Sequence, residues 1–322
     1  MNLEIRIDKE APNDWNDNLQ SSKISTVYHT VEYSNYAKTY LDWSPIFMSI
    51  FNSKGELLAK SLLFELSTNF KNISALKPLS QFSNKFKILK WLLGPVVFNE
   101  DLTNDVIFNF INYIEKSYPK VNGSFHPLLR FNFETSKHIM KWGTFLIDLT
   151  QSKNQIESNF DKRSVTKNIK RSIERGVEIF EITEKNISDY ANLLNEFRKE
   201  NDLTVYSLEQ IIDLWKILKP TKYLGYIAYF NEKPIGGMTF SAFNGYINEW
   251  GVARSKLDFE QKLYSQDLIK WKIIEWGINN NQRFYDLTGF NPNPVSEKEQ
   301  GILRYKRKWG GKQYDLFYYN RR

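Results

Sequence analysis

The 322-residue sequence predicts a mixed α/β fold built in two consecutive halves. Each half is expected to be a mixed, largely antiparallel sheet flanked by helices. Three observations carry this. Runs with strand-like apolar patterning interleave with runs at helical spacing along the whole chain. The two halves share a similar grammar of elements. The second half also places three strands in a row before a strand–helix–strand crossover, which makes its sheet mixed rather than all parallel. The boundary falls at 145/146, giving halves 1–145 and 146–322.

In the first half, MNLEIRIDKE alternates apolar and charged residues and reads as a strand. WNDNL and VYHTVEYSNYAKTYL read as helices, with Val31, Tyr33, Ala37 and Tyr40 near helical spacing. SPIFMSIF and ELLAKSLLFEL are strands joined at NSKG, a hairpin signal. LGPVVF is a short buried strand. DVIFNFINYIEKSY is an amphipathic helix with Ile107, Phe110, Ile111 and Ile114 on one face, and SFHPLLRFNF is expected to return as a strand. The link between halves lies near MKWGTFLIDLTQS, where Gly143 precedes a further strand.

In the second half, IESNFDKRSVTKNIKRSIERG reads as one helix stopped by Gly176. VEIFEIT is a strand. Ser188 is expected to cap a helix carrying Tyr190, Leu193, Leu194 and Phe197, and SLEQ at 207–210 opens the next helix as a capping box. YLGYIAYF, PIGGMTFSAF and GYINEWGVA are the three strands. YSQDLIKWKIIEWGI is apolar nearly all round, so it should be a largely buried helix. RFYDLTG is a strand, ILRYKRKWGG a short helix with a glycine stop, and YDLFYY the last strand.

Composition narrows the function classes. The chain is 41% hydrophobic and 25% charged, which is a folded protein and not a disordered one. No apolar run approaches about 18 residues, so no transmembrane helix is expected. The first residues lack the layout of an export signal, making the cytoplasm the default expectation. Cysteine is absent, which excludes disulfides, thiolate metal sites and a cysteine nucleophile. His29, His126 and His138 are not at ligand spacing, so no metal site is expected. The net charge of +7 fits a polyanionic partner as well as an ordinary solvated surface. Lys162, Arg163, Lys167, Lys170, Arg171 and Arg175 crowd one helix, and two readings stay open: phosphate contact, or a solvated face over the Ile169–Ile173 stripe.

The order of elements in the second half resembles the GNAT acyltransferase fold. TKNIKRSIERGVEI resembles the basic helix-then-strand that opens the second domain of Fem-type (peptidoglycan bridge) aminoacyltransferases. YDLTGFNPNP followed by GILRYKRKWGGK resembles that family's closing signature, a Tyr-Asp-Leu strand ending in glycine and then an aromatic–lysine pair before a glycine pair. VYHTVEYSNYAKTYLDWSPIFMSI and LGPVVF resemble the opening of its degenerate N-terminal GNAT-like domain. The resemblance implies two tandem GNAT-like domains, with catalysis in the second at the cleft between them. It implies an acyltransferase that moves an aminoacyl group from aminoacyl-tRNA to an amine of a cell-wall or surface-glycan precursor. One alternative is acyl-CoA-dependent N-acetyl transfer to an amino sugar or polysaccharide precursor; another is a non-catalytic binding module of the same fold. The place where coenzyme A enzymes carry a glycine-rich loop reads ARSKLDFEQKLYSQ, without glycine, which favours the tRNA-borne donor. The segment between Phe197 and Ser207 leaves no room for a coiled-coil insertion. Expected partners are a nucleotide- or lipid-linked amine acceptor and tRNA, with peripheral contact at the inner membrane surface and no bound cofactor.

Acyl transfer to an amine needs a neutral amine and a positive or donor environment for the oxyanion, but no protein nucleophile. Lys306 matches the aromatic–lysine pair and is the expected cation of the transfer centre; a surface lysine is the plain alternative. Tyr305 flanks the donor or packs beneath the helix. Asp286 accepts a proton, orients a lysine or caps the turn that follows it. Gly289 is expected to supply an unusual backbone angle. Glu249 stands where GNAT enzymes often place a general base. Arg198, Arg304, Lys167, Arg171 and Arg254 are the expected substrate-binding cations, with Lys256 a further charge beside Arg254.

Overall fold

The computed structural model describes residues 3–66, 87–132, 137–221 and 223–321. The chain divides into two compact units, Met1–Gly143 with Tyr314–Arg322, and Thr144–Gln313. The sequence-placed boundary lies two residues late. Most of the last strand falls in the first unit, where Tyr318–Arg321 pairs antiparallel with Val121–Ser124. Nothing local in YDLFYY specifies that long-range pairing.

In the first unit, β1 (Glu4–Asp8), β2 (Trp43–Phe51), β3 (Leu57–Leu66), β4 (Ile88–Trp91), β6 (Lys120–Ser124) and β14 (Lys312–Arg321) are successive neighbours. The short β5 (Val96–Val97) pairs with β3. β4 and β6 run parallel, whereas β1–β2 and β2–β3 are antiparallel. The β2–β3 turn closes on Asn52, whose Oδ1 accepts from the N–H groups of Lys54 and Glu56. Helices α1 (Trp15–Gln20), α2 (Val31–Tyr40) and α3 (Thr103–Ser117) accompany the sheet, and α3 buries Val106, Ile107, Phe110 and Ile114. The expected strand at 124–133 stops at Ser124. Beyond it the His126 side chain accepts from the Leu128 N–H, and the chain turns away around Pro127. Phe133 lies outside the described residues.

In the second unit the order is β7 (Ile139–Asp148, entering at Thr144), β13 (Phe284–Phe290), β11 (Tyr246–Glu249), β10 (Lys233–Phe243), β9 (Tyr223–Phe230) and β8 (Glu178–Glu181). The expected meander is present: β9–β10 and β10–β11 are antiparallel, while β11–β13 is parallel. Successive strand residues face opposite sides, and two cores follow from that. Ala228, Met238 and Phe240 pack with α9 (Ser265–Asn279). Ile227 packs with Tyr190, Leu193 and Leu194 of α6 (Ile187–Glu200) and Ile211 of α7 (Leu208–Leu218).

Two helix expectations need correction. The single helix over 156–176 is broken: α4 (Lys153–Ser158), a π-type turn over Lys162–Thr166, and α5 (Lys167–Glu174). Asp161 breaks it, because its carboxylate accepts from the N–H groups of Arg163 and Ser164 and so caps a new start. Ser188 is not a cap; α6 starts at Ile187 after Asn186, whose side chain accepts from the Thr183 N–H. α8 (Lys256–Glu260) and β12 (Ala253–Arg254) complete the unit with α10 (Glu297–Arg307), which starts five residues before the expected Ile302. Its start is fixed by Glu299, which accepts from Asn291 Nδ2 and from the N–H groups of Val295 and Ser296. Those bonds pull its carboxyl down to about 2.

Gly176 and Gly310 end α5 and α10 with φ of +84° and +69°. A Cβ at Gly176 would meet nothing within 4 Å, whereas at Gly310 it would lie 2.2 Å from the backbone oxygen of Asn159. Gly176→Ala should therefore cost only the left-handed strain, about 1–2 kcal/mol. Gly310→Ala should cost at least about 2 kcal/mol more, since backbone must shift. Urea unfolding of the two variants in parallel measures the difference.

Candidate functional site

The site grows from the two central parallel strands of the second unit. β11 and β13 pair over Tyr246–Asn248 and Phe284–Asp286 and then part. After Glu249 the chain follows β10: Trp250 donates to the Thr239 carbonyl, and β12 pairs with Gly236–Gly237. The polar residues of the site cluster around this opening.

Asp286 lies at the last paired position and is buried. Its Oδ1 accepts from Thr144 Oγ at 2.5 Å and from the Thr288 N–H at 2.8 Å; its Oδ2 accepts from Tyr246 Oη at 2.8 Å. Burial pushes this carboxyl up and the hydrogen bonds pull it back part of the way. Of the three expected roles, the capping one is realised, because the Thr288 N–H two residues on is its backbone partner. The unusual angle belongs to Thr288, with φ +64°, and not to Gly289, which stays outside the left-handed region. A β-branched residue in that conformation is costly and marks a constrained point. Its effect is to turn Thr288 Oγ1 and the Gly289 carbonyl toward α10.

Lys306 of α10 meets those groups. Its ammonium donates to Thr288 Oγ1 at 2.8 Å and to the Gly289 carbonyl at 2.9 Å. Burial lowers its pKa to about 8, against a smaller raising effect of Asp286. Tyr305, the residue before it, lies against Asp267 instead. Burial, and then the Asp267 carboxylate, push its phenol well above the ordinary range. Lys308 pairs with both oxygens of Asp267 at 2.7 and 2.8 Å and stands 4.3 Å from the Tyr305 ring centre. Asn168 of α5 also donates to Asp267, at 2.7 Å.

Glu249 ends β11 at the opening. Its Oε1 accepts from Tyr285 Oη at 2.5 Å and forms an ion pair with Lys270. Lys270 is 2% exposed, in the middle of α9. Its burial, with Lys306 and Lys308 nearby, holds its pKa well below the usual lysine range. The sequence reading missed this residue. The signal was present, since a lysine inside a helix that is apolar all round must find a buried partner.

The remaining expected residues are elsewhere. Arg198 donates to the Thr204 carbonyl and lies 4.4 Å over the Tyr206 ring, closing the α6–α7 loop instead of reaching the cluster. Arg254 is bound to the buried Asp258, and Lys256 pairs with Glu200 at 3.1 Å. Arg304 is exposed on α10; Lys167 is exposed and Arg171 half-buried on α5. Among the described residues, no three His, Cys, Asp or Glu side chains gather as a metal site. No described helix is long and apolar enough to cross a membrane.

No known-family profile and no curated protein matches the chain. Solved structures do. FemX superposes with a TM-score of 0.71 at 9% identity, over 98% of this chain and 97% of that one. A tandem GNAT protein from the clavulanic acid biosynthesis pathway gives 0.53 at 8% identity over 99% of both chains. The C-terminal domain of a putative lysylphosphatidylglycerol synthetase from Agrobacterium fabrum gives 0.52 at 10% identity, over 85% and 83%. At these identities the likeness is one of fold: the chain has the tandem GNAT-like fold that FemX also has.

Proposed function

We propose that the second unit transfers an acyl group to an amine. The preferred reading is an aminoacyl group carried by tRNA, passed to an amine on a nucleotide- or lipid-linked cell-wall or surface-glycan precursor. One observation carries it. Three lysines crowd the opening, and two are neutralised: Lys270 by Glu249, Lys308 by Asp267. Lys306 alone among these three is hydrogen-bonded only to neutral oxygens. It is a preorganised cation, held in a low-dielectric setting where charge stabilisation is strong.

The chemistry follows in order. The acceptor nitrogen attacks the ester carbonyl carbon, and the carbonyl oxygen becomes an oxyanion. The Lys306 ammonium stabilises negative charge at this centre or on the leaving oxygen. The C–O ester bond then breaks, and the leaving oxygen takes the proton that Glu249 has accepted from the attacking nitrogen. Glu249 Oε2 receives the proton lost by the attacking nitrogen, while Oε1 stays fixed by Lys270 and Tyr285. The exposed basic residues Lys162, Arg163 and Lys167, ahead of and within α5, support a polyanionic carrier. The word lysylphosphatidylglycerol in the name of one fold neighbour supports a lipid-linked acceptor, with the protein working at a membrane surface.

Lys306→Met should lower kcat by about 10²–10³-fold, the scale of losing one oxyanion partner. A folded Lys306→Met protein with full activity overturns its role. The cation is the active form, so kcat/KM should fall as pH rises through about 8, where Lys306 loses its proton. Lys306→Arg should move that alkaline limb upward, because a guanidinium keeps its proton. A screen with aminoacyl-tRNA and acyl-CoA donors, read by mass spectrometry of the acceptor, decides the donor class. Turnover with acyl-CoA alone reverses the preference, and no turnover with either, together with salt-sensitive RNA binding, points to a binding module.

The Glu249–Lys270 ion pair has a separate check. Lys270→Met strands a buried carboxylate and should cost about 3–5 kcal/mol of stability. Adding Glu249→Leu should restore much of it, which a double-mutant cycle in urea measures.

A further inference from the structure

A helix N-terminus is a ready-made anion site, because its first N–H groups have no partner in the helix and its dipole favours negative charge. At α9 this position is filled by the protein itself. Asp258 is completely buried, and its Oδ1 accepts from the N–H of Ser265, the first residue of the helix, at 2.8 Å. Its Oδ2 binds the Arg254 guanidinium. Asp258 is itself fixed from both sides of the backbone: its N–H donates to Ser255 Oγ at 3.1 Å, and its carbonyl accepts from the Leu263 N–H at 3.0 Å. Of the donors that follow, the N–H groups of Asp267 and Leu268 both reach the Tyr264 carbonyl. A second buried carboxylate, Asp267, stands in the same first turn.

We infer that the Asp258 carboxylate is a built-in substitute for a phosphate at the start of α9, and that it selects against donors carrying a diphosphate there. A diphosphate would have to displace a buried, doubly bound carboxylate and then sit beside Asp267. Arg254, the cation best placed to bind it, is already engaged. Donors such as coenzyme A thioesters are thereby refused, whereas an acyl ester on a carrier without a diphosphate near the acyl group meets no such obstacle. This deepens the acyl-transfer reading and rests on it for its meaning, but its test is binding alone and does not depend on turnover.

Coenzyme A and inorganic pyrophosphate are titrated by calorimetry into the full-length wild type, Asp258→Ala and Asp258→Asn. The Ser265 amide is followed by NMR in each. The wild type should bind neither probe, with no change at Ser265. Asp258→Ala frees Arg254 and the Ser265 N–H, and should gain pyrophosphate and coenzyme A binding by about tenfold or more, with the Ser265 resonance shifting. Asp258→Asn keeps an acceptor for Ser265 but loses the charge, and should gain less. If Asp258→Ala fails to fold, the Asn variant decides: tighter pyrophosphate binding than the wild type supports the inference, and equal binding overturns it. Wild-type binding of coenzyme A that shifts Ser265, or a folded Ala variant that gains nothing, overturns it as well. Neither result touches the role of Lys306, which is read from kinetics.

Discussion

The geometry of the candidate site depends on the three hydrogen bonds made by the buried Asp286 carboxylate. They come from Thr144 on β7, Tyr246 on β11 and the backbone of Thr288 on β13 itself. One side chain thus links three adjacent strands at the point where two of them separate. A buried carboxylate without such donors would be expensive, and here each bond also fixes a strand. The bond to Thr288 has the furthest reach, because it holds a β-branched residue at φ +64°. That conformation gives Lys306 its two acceptors. Asp286 therefore acts on Lys306 more through the backbone it shapes than through its charge.

The charges around the opening are balanced in an uneven way. Lys270, Lys306 and Lys308 stand near Glu249, Asp267 and Asp286. Two lysines form ion pairs, and those pairs hold elements together: β11 to α9, and α9 to the end of α10. The third carboxylate spends its oxygens on neutral donors. That leaves Lys306 as the one of the three lysines without a carboxylate partner, and its burial lowers its pKa to about 8. Ion pairing the other two also limits the repulsion that three clustered ammonium groups would otherwise exert.

Much of this was legible in the sequence, and the misses have physical causes. Periodicity found α9 as a buried helix and β9–β11 as a meander, since both patterns are local. Lys306, Asp286 and Glu249 were named from position and motif, and the fold brings them to one opening. Periodicity could not see Asp161 cutting a helix in two, because a capping side chain outweighs apolar spacing that continues through it. It placed the strained angle at Gly289 because glycine tolerates it best; the Asp286 bond places it at Thr288 instead. Arg254 and Lys256 looked like free charges, yet each found a carboxylate, Asp258 and Glu200. Pairings across the fold, such as β14 with β6, leave no local trace at all.

Helix α9 links these observations. It is apolar nearly all round, yet it carries two buried ions three residues apart, Asp267 and Lys270. Residues three apart share a helix face, and these two reach different neighbours. Asp267 fixes Tyr305 and Lys308 on the α10 side, whereas Lys270 fixes Glu249 and, at 3.3 Å, contacts Tyr285 on the sheet side. The start of the helix is pinned in addition by Asp258. An apolar helix could pack at several small offsets, because hydrophobic contacts are non-directional. Three directional anchors select one offset, and with it the distance between the lysine side of the opening and the carboxylate side. The buried charges of α9 are thus explained better by this positioning than by stability, since well-packed apolar residues would stabilise the same helix at least as well.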